Sequence, residues 1–246
     1  MMYNKILKYL LCFSLVSLLI IGFSDGIIAA EFDMKSYDYD DQLNLYIDVG
    51  GAEITFDQDS SQIRVSNKLK VKLNDNSIHI RSPKRTGFFN FFNDEDFRII
   101  IGTKYRFNKV DIDVGGAQID GLIEADKIYI DGGGVSISAD MFSERVSIDG
   151  GGVKVTSMIE AQNISIDGAG MDIYLELKDT EDLDLDGAGI TANVRYLDTW
   201  TGQRYLKMNG VGGNLDVYVP SDDSDEIMGE LNVDANGMID VDINHY

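Results

Sequence analysis

One eight-residue phrase returns along this chain at a fixed interval. Ile112-Asp113-Val114-Gly115-Gly116-Ala117-Gln118-Ile119 is followed 18 residues later by Ile130-Asp131-Gly132-Gly133-Gly134-Val135-Ser136-Ile137. Ile148-Asp149-Gly150-Gly151-Gly152-Val153-Lys154-Val155 and Ile166-Asp167-Gly168-Ala169-Gly170-Met171-Asp172-Ile173 continue at the same step. Leu185-Asp186-Gly187-Ala188-Gly189-Ile190 comes after 19 residues. Looser copies stand at Met208-Asn209-Gly210-Val211-Gly212 and Val233-Asp234-Ala235-Asn236-Gly237, and an early one at Ile47-Asp48-Val49-Gly50-Gly51-Ala52. Self-similarity at a fixed period marks a repeat architecture.

Within a unit the apolar residues alternate, as in Ile128-Tyr129-Ile130 and Val135-Ser136-Ile137, which is the period of a strand with one buried face. The other half of the unit keeps register as well: Ile123, Met141 and Ile159 are 18 apart, as are Ala125, Ser143 and Ala161. Strands this short, with no helical stretch between them, cannot bury their apolar edges singly. Stacking identical coils lays Ile on Ile and closes one core. The prediction is an all-β, single-stranded β-helix-like solenoid with coils of about 18 residues, spaced by the strand separation of about 4.8 Å. A β-sandwich has strands every 8 to 12 residues or so, joined by irregular turns, and need not repeat one sequence position.

Glycine at the corner of each unit is expected to permit positive φ and to let neighbouring coils approach. A phosphate-cradling glycine loop would open a helix, whereas these glycines open another strand. Stacking also puts Asp113, Asp131, Asp149, Asp167 and Asp186 in one column. Asp before Gly is ordinary turn chemistry, the carboxylate accepting hydrogen bonds from the following amides. The alternative makes these five residues candidate ligands of a divalent cation, with calcium the one cofactor suggested. The calcium β-roll repeat places its Asp after the glycines, in Gly-Gly-x-Gly-x-Asp; here Asp precedes them, so any metal site would be of another design.

Three segments are expected: residues 1–30 as a signal peptide or N-terminal anchor, 31–109 as an N-terminal β region carrying a basic, Phe-rich loop at 82–96, and 110–243 as the glycine-marked solenoid. Lys5 and Lys8 precede an apolar run from residue 9 to 23, and Ala29 and Ala30 follow, the order of a secretory signal. The expected location is extracytoplasmic, either secreted or anchored to the cell membrane by that segment. The single cysteine, Cys12, lies inside the apolar run, so stability must come from packing and backbone pairing. A net charge of −21 argues against nucleic acid as a partner. It suits a self-repelling exported protein and also cation binding.

The repeat breaks in two places. Residues 82–96 hold Lys84 and Arg85 followed by Phe88, Phe89, Phe91 and Phe92, which could touch a membrane surface or a partner protein, or fold back to cap the open end of the solenoid. Tyr196, Trp200 and Tyr205 sit where the period lengthens, which reads as a bulged coil, with stacking of Trp200 on a carbohydrate as the alternative. No catalytic residues are assigned. Most carboxylates occupy the repeat-locked turn position, and the histidines are only His79, in a strand, and His245, beside the C-terminus.

These Ile-Asp-Gly-Gly-Gly-Val-x-Ile units behind an export segment resemble the bacterial toastrack or "putative adhesin" β-strand-repeat family, which includes the LiaG-like envelope proteins, over about residues 42–243. The resemblance implies a short single-stranded β-helix and a link to the cell envelope or its stress response, and it brings no site residues. The Phe88 to Phe92 cluster departs from the family pattern, as does Gly102, where a proline is expected. The expected function is a non-enzymatic extracytoplasmic scaffold whose partner is an envelope or surface protein or the membrane surface. The alternatives are a divalent-cation-binding surface protein and a carbohydrate-active β-helix enzyme. The repeat itself specifies no oligomeric state.

Overall fold

The alternating pattern folds as twelve strands in one sheet that coils on itself, seen in a computed structural model that describes residues 33–39, 42–83, 97–221 and 229–246. Strands β1 (Met34–Asp38), β2 (Asn44–Asp57), β3 (Gln62–Ser66), β4 (Lys70–Asn74), β5 (Ser77–Arg81) and β6 (Phe97–Gly102) build one end. The stack continues through β7 (Phe107–Phe142), β8 (Arg145–Glu160), β9 (Asn163–Lys178), β10 (Asp182–Tyr196), β11 (Gln203–Val219) and β12 (Glu230–His245). From β7 onward every strand pairs in parallel with the next, and copies of the repeat sit in register: Ile130 on Ile148, Ile148 on Ile166, Ile166 on Leu185 and Leu185 on Met208. The fold is the expected β-solenoid. From β8 onward each coil is one long bent strand rather than two short ones, with bends of two or three residues between coils such as 161–162 and 179–181, and β7 runs through two coils without a break.

The early copy of the repeat is the first coil. β2 lies in register on β7 from Asn44 on Lys109 to Phe56 on Gly121, so Asp48 meets Asp113 although a long stretch of chain separates them. That stretch returns to the far side of β2. β5 pairs with its first half and β6 with its second. β3 and β1 extend the edge in antiparallel fashion, and β4 folds back on β5. These strands finish the end of the stack that a terminal coil would otherwise leave open. Gly102, where the family pattern suggests proline, ends β6 against the 60–62 backbone; a Cβ there would come within 2.8 Å of the Gln62 amide nitrogen. Its carbonyl accepts a hydrogen bond from the Tyr39 hydroxyl.

Inward-facing positions form columns of fully buried residues, among them Ile47, Ile112, Ile130, Ile148, Ile166 and Leu185, all within one hydrophobic cluster. Each such side chain stabilises the fold by about 1.5–3 kcal/mol through its removal from water. At the corner the expected reason for glycine is only half right. Positive φ is found at Gly121, Gly202 and Gly237, and of these only Gly237 belongs to a repeat corner. What the regular corners require is space. A Cβ on Gly150 would lie 2.9 Å from Val153 Cγ2 and 3.0 Å from the Gly132 carbonyl oxygen, and one on Gly132 would lie 2.8 Å from Val135 Cγ1.

One slot inside each corner is therefore filled from either of two positions. The first two coils use Val49 and Val114 with Ala52 and Ala117 three residues on; the next ones use Gly132, Gly150, Gly168 and Gly187 with Val135, Val153, Met171 and Ile190. Gly150→Val is expected to destabilise by about 1–3 kcal/mol through overpacking. Adding Val153→Ala, which reproduces the Val114/Ala117 arrangement, is expected to recover most of that loss. Denaturant unfolding of the two single variants and the double variant checks it: additive losses contradict the shared slot.

Candidate functional site

The outward columns follow from the same register. Where neighbouring coils carry opposite charges they pair: Lys154 with Asp172 at 3.7 Å, Lys178 with Glu160 at 2.7 Å and Lys207 with Asp184 at 3.3 Å. The column after the inward isoleucine behaves differently. Asp48, Asp113, Asp131, Asp149, Asp167 and Asp186 follow one another, one per coil, all exposed. It then ends in uncharged partners at one side, Asn209 on Asp186 and Asn236 on Asn209, with the Asn209 amide donating to Asp186 at 3.5 Å and the Asn236 amide to Asn209 at 3.2 Å. At the other side it meets cations. Arg81 sits in register beside Asp48, with Nε 3.9 Å from the carboxylate, and Lys70 sits beside Arg81.

The period of the repeat places five of these aspartates together correctly, but the corner-amide partners expected for them are wrong. The expected bonds to corner amides do not form at Asp113, Asp131, Asp149 or Asp167 among the described residues. The chain runs through the corner as paired strand, Gly132 on Gly150 and Gly134 on Gly152, so those peptides are already committed to the next coil. As cation ligands the five form a line rather than a cage. Among the described residues no three His, Cys, Asp or Glu side chains gather around one point where an ion would sit, and calcium takes six to eight oxygens.

Unpaired carboxylates one coil apart repel. Partial burial raises the Asp113 pKa above its ordinary value, and the charges of Asp131, Asp48 and Asp111 add to the rise. Asp167 is raised likewise by partial burial and by Asp149, Asp186 and Asp184. A carboxyl group whose folded pKa is raised holds its proton more tightly in the native state. Its contribution to stability is therefore unfavourable at neutral pH, and the penalty disappears as pH falls through the folded value. Two unit charges at one strand spacing repel by about 0.9 kcal/mol in water. Asp113→Asn is expected to raise the thermal midpoint by about 2–4 °C at low salt and about pH 7, with the gap from the parent protein closing towards about pH 4. A midpoint that falls, or a gap independent of pH, contradicts a repulsive column.

Trp200 is not a stacking platform. Its ring is only 8% exposed, with the Arg204 guanidinium 4.3 Å from the ring centroid and Tyr196 packed at 5.4 Å. Arg204 in turn forms a two-pronged bond to Asp198, at 3.1 and 2.6 Å. The lengthened period buries this cluster as core and leaves no ring face for a sugar. Lys84, Arg85, Phe88, Phe89, Phe91 and Phe92 lie outside the described residues, as does the 1–30 segment.

A basic face emerges that the repeat gives no hint of. In the β4–β5 hairpin Lys70 lies directly opposite Arg81, and Lys72 opposite His79. These four side chains share one face, because Val71, Ile78 and Ile80 alternate with them and point inward. They line a hollow of about 380 Å³ together with Val71 and Ser82. The His79 ring stacks on Tyr46 at 4.6 Å and shares a hydrogen bond with the Ser77 hydroxyl through Nε2 at 3.2 Å. Its Nδ1 is enclosed and has no partner among the described residues. Partial burial, then the charges of Arg81 and Lys72, lower its pKa from the ordinary histidine value. Among the described residues, no carboxylate pairs with Lys70 or Lys72. The signal is present in the sequence as alternation, since Lys70 and Lys72 flank Val71 and His79 and Arg81 flank Ile80, with the polar pair Asp75-Asn76 as the turn between the two runs.

The molecule is thus an all-β solenoid with one basic end and an acidic ridge. Solved structures similar to the chain include a "putative adhesin" from Parabacteroides merdae, 15% identical, covering 87% of this chain and 95% of that one at a TM-score of 0.43. A "putative adhesin" from Bacteroides fragilis is 14% identical, covering 85% of this chain and 97% of the other at 0.45. A "putative lipid binding protein" from Parabacteroides distasonis is 13% identical, covering 87% and 96% at 0.41. No family model and no curated protein matches the chain.

Proposed function

We propose that the protein is a non-enzymatic, extracytoplasmic scaffold that engages a cell-envelope or surface partner across the faces of its sheet. One observation carries this reading: eight coils in register turn every outward position into a column, so each exposed face repeats its chemistry at strand spacing along the stack. Such faces suit extended partners, as in other solenoids. The hollows on them are troughs open to solvent. The trough along the glycine corner, of about 590 Å³, runs past Gly134, Gly152, Gly170 and Gly189, where a Cβ would meet nothing within 4 Å.

The secretory pattern at residues 1–30 and the charge of −21 support an extracytoplasmic location. The period-breaking residues 82–96, with Lys84, Arg85 and four phenylalanines, supply the contact segment in this reading. An adhesin-like role is the form it takes. Deleting residues 88–92 is expected to abolish co-sedimentation of the full chain with isolated cell-envelope fragments while leaving the unfolding midpoint unchanged. Undiminished co-sedimentation contradicts the assignment of that segment, and release of reducing ends from envelope polysaccharide contradicts the non-enzymatic role.

A further inference from the structure

The β4–β5 face keeps cations together in a protein that is otherwise strongly acidic, and like charges placed directly across a strand pair are destabilising. Lys154, Lys178 and Lys207 of the stack sit on carboxylates of the neighbouring coil. At this end Lys70 and Lys72 have no such partner among the described residues, and Arg81 reaches Asp48 only at 3.9 Å, with both side chains well exposed. A fixed ribbon holds the four groups in two cross-strand pairs around a concave surface that Val71 and Ser82 also line. The His79 ring borders the hollow, and its Nδ1 is enclosed and has no partner among the described residues.

We propose that the hollow bounded by Lys70, Lys72, His79 and Arg81 is a binding site for a phosphate group. The chemistry fits a small tetrahedral anion. Two flexible ammonium groups supply charge from β4. The Arg81 guanidinium presents a planar fork of donors suited to phosphate oxygens. The His79 ring lines the same hollow, so an imidazolium there adds charge beside the anion. The site extends the scaffold reading without depending on it, because it is built from described residues and needs no partner protein.

Charged and titratable groups face His79 from each neighbouring element: Lys70 and Lys72 from β4, Arg81 from its own strand, and Tyr46 and Asp48 from β2. In the empty site the cations disfavour the imidazolium. A bound dianion reverses that balance, so the His79 titration midpoint rises when phosphate is added. The phosphate could be free or carried by a lipid headgroup, and two arms separate these sources.

The chain has only two histidines, and His245 serves as an internal reference. Ring resonances of the full chain are followed by NMR against pH, with and without inorganic phosphate, then with phosphatidylglycerol vesicles and with phosphatidylcholine vesicles. An upward shift of the His79 midpoint with inorganic phosphate, His245 unmoved, supports a site for the free anion. A shift with phosphatidylglycerol vesicles alone supports a headgroup site. In the headgroup case Lys70→Gln with Lys72→Gln weakens vesicle retention about tenfold or more, two basic residues near the anionic surface being lost. The pair replaces exposed side chains and leaves the hairpin core of Val71, Ile78 and Ile80 intact; an unchanged unfolding midpoint checks this. No response of His79 in either arm overturns the proposal. So does a response that persists at full size in the folded double variant.

Discussion

Parallel pairing of each coil with the next, without a shift in register, is the constraint on which the rest of the molecule depends. It makes position, rather than neighbourhood in sequence, the unit of structure: a residue's closest companions are its counterparts one coil above and one coil below. Inward positions become columns of isoleucine, valine and leucine that shed water together. Corners become a line along which backbones nearly touch. Outward positions become rows of like chemistry. A side chain chosen once is in effect chosen for the whole stack, which is why the repeat is so regular at the buried isoleucines and at glycine.

The same constraint has a cost and two kinds of relief. Repeating an aspartate puts carboxylates in a row, and the row finds no corner amides because the ladder has already used them. Other columns gain ion pairs where neighbouring coils carry opposite charges, as at Lys154 and Asp172. The aspartate column instead stops on asparagine at Asn209 and Asn236 and on cations at Arg81 and Lys70. Relief at the corners takes a steric form. Val114 with Ala117 and Gly132 with Val135 fill the same space by exchanging which position supplies the bulk. A conformational role for glycine is thus secondary at the regular corners, where the close approach of a neighbouring carbonyl or side chain decides the residue.

Much of this is legible in the amino-acid sequence. The interval between Ile130, Ile148 and Ile166 implies both the coil and the column, and the aspartate row follows as a consequence. What stays hidden depends on contacts between segments that carry no shared phrase. The regular repeat suggests a solenoid that begins at residue 110, whereas the coil formed by β2 pairs with β7 across an excursion of the chain that has no repeat. The lengthened period at Trp200 admits a bulged coil or a sugar platform, and the packing of Arg204 and Tyr196 on its ring decides for core. The excess of basic residues around Lys70, Lys72 and Arg81 is legible in the sequence, but their meeting with His79 on one face is set by the register of a hairpin. The weaker reading of glycine as a positive-φ residue comes from treating the corner as a turn, when the backbone passes through it as strand.

Registered stacking at one strand spacing can be measured directly by disulfide trapping. With Cys12 replaced by serine, cysteines are introduced in pairs at Ser136 and Lys154, which lie in register on adjacent coils, and at Ser136 and Asp172, two coils apart. A disulfide spans Cα separations of about 4.4–6.8 Å, which includes one coil spacing and excludes two. The account predicts rapid oxidation of the 136/154 pair in the folded protein and none within the molecule for the 136/172 pair. Equal trapping of both pairs, or of the second alone, would contradict the stacking from which the core, the corners and the charged columns all follow.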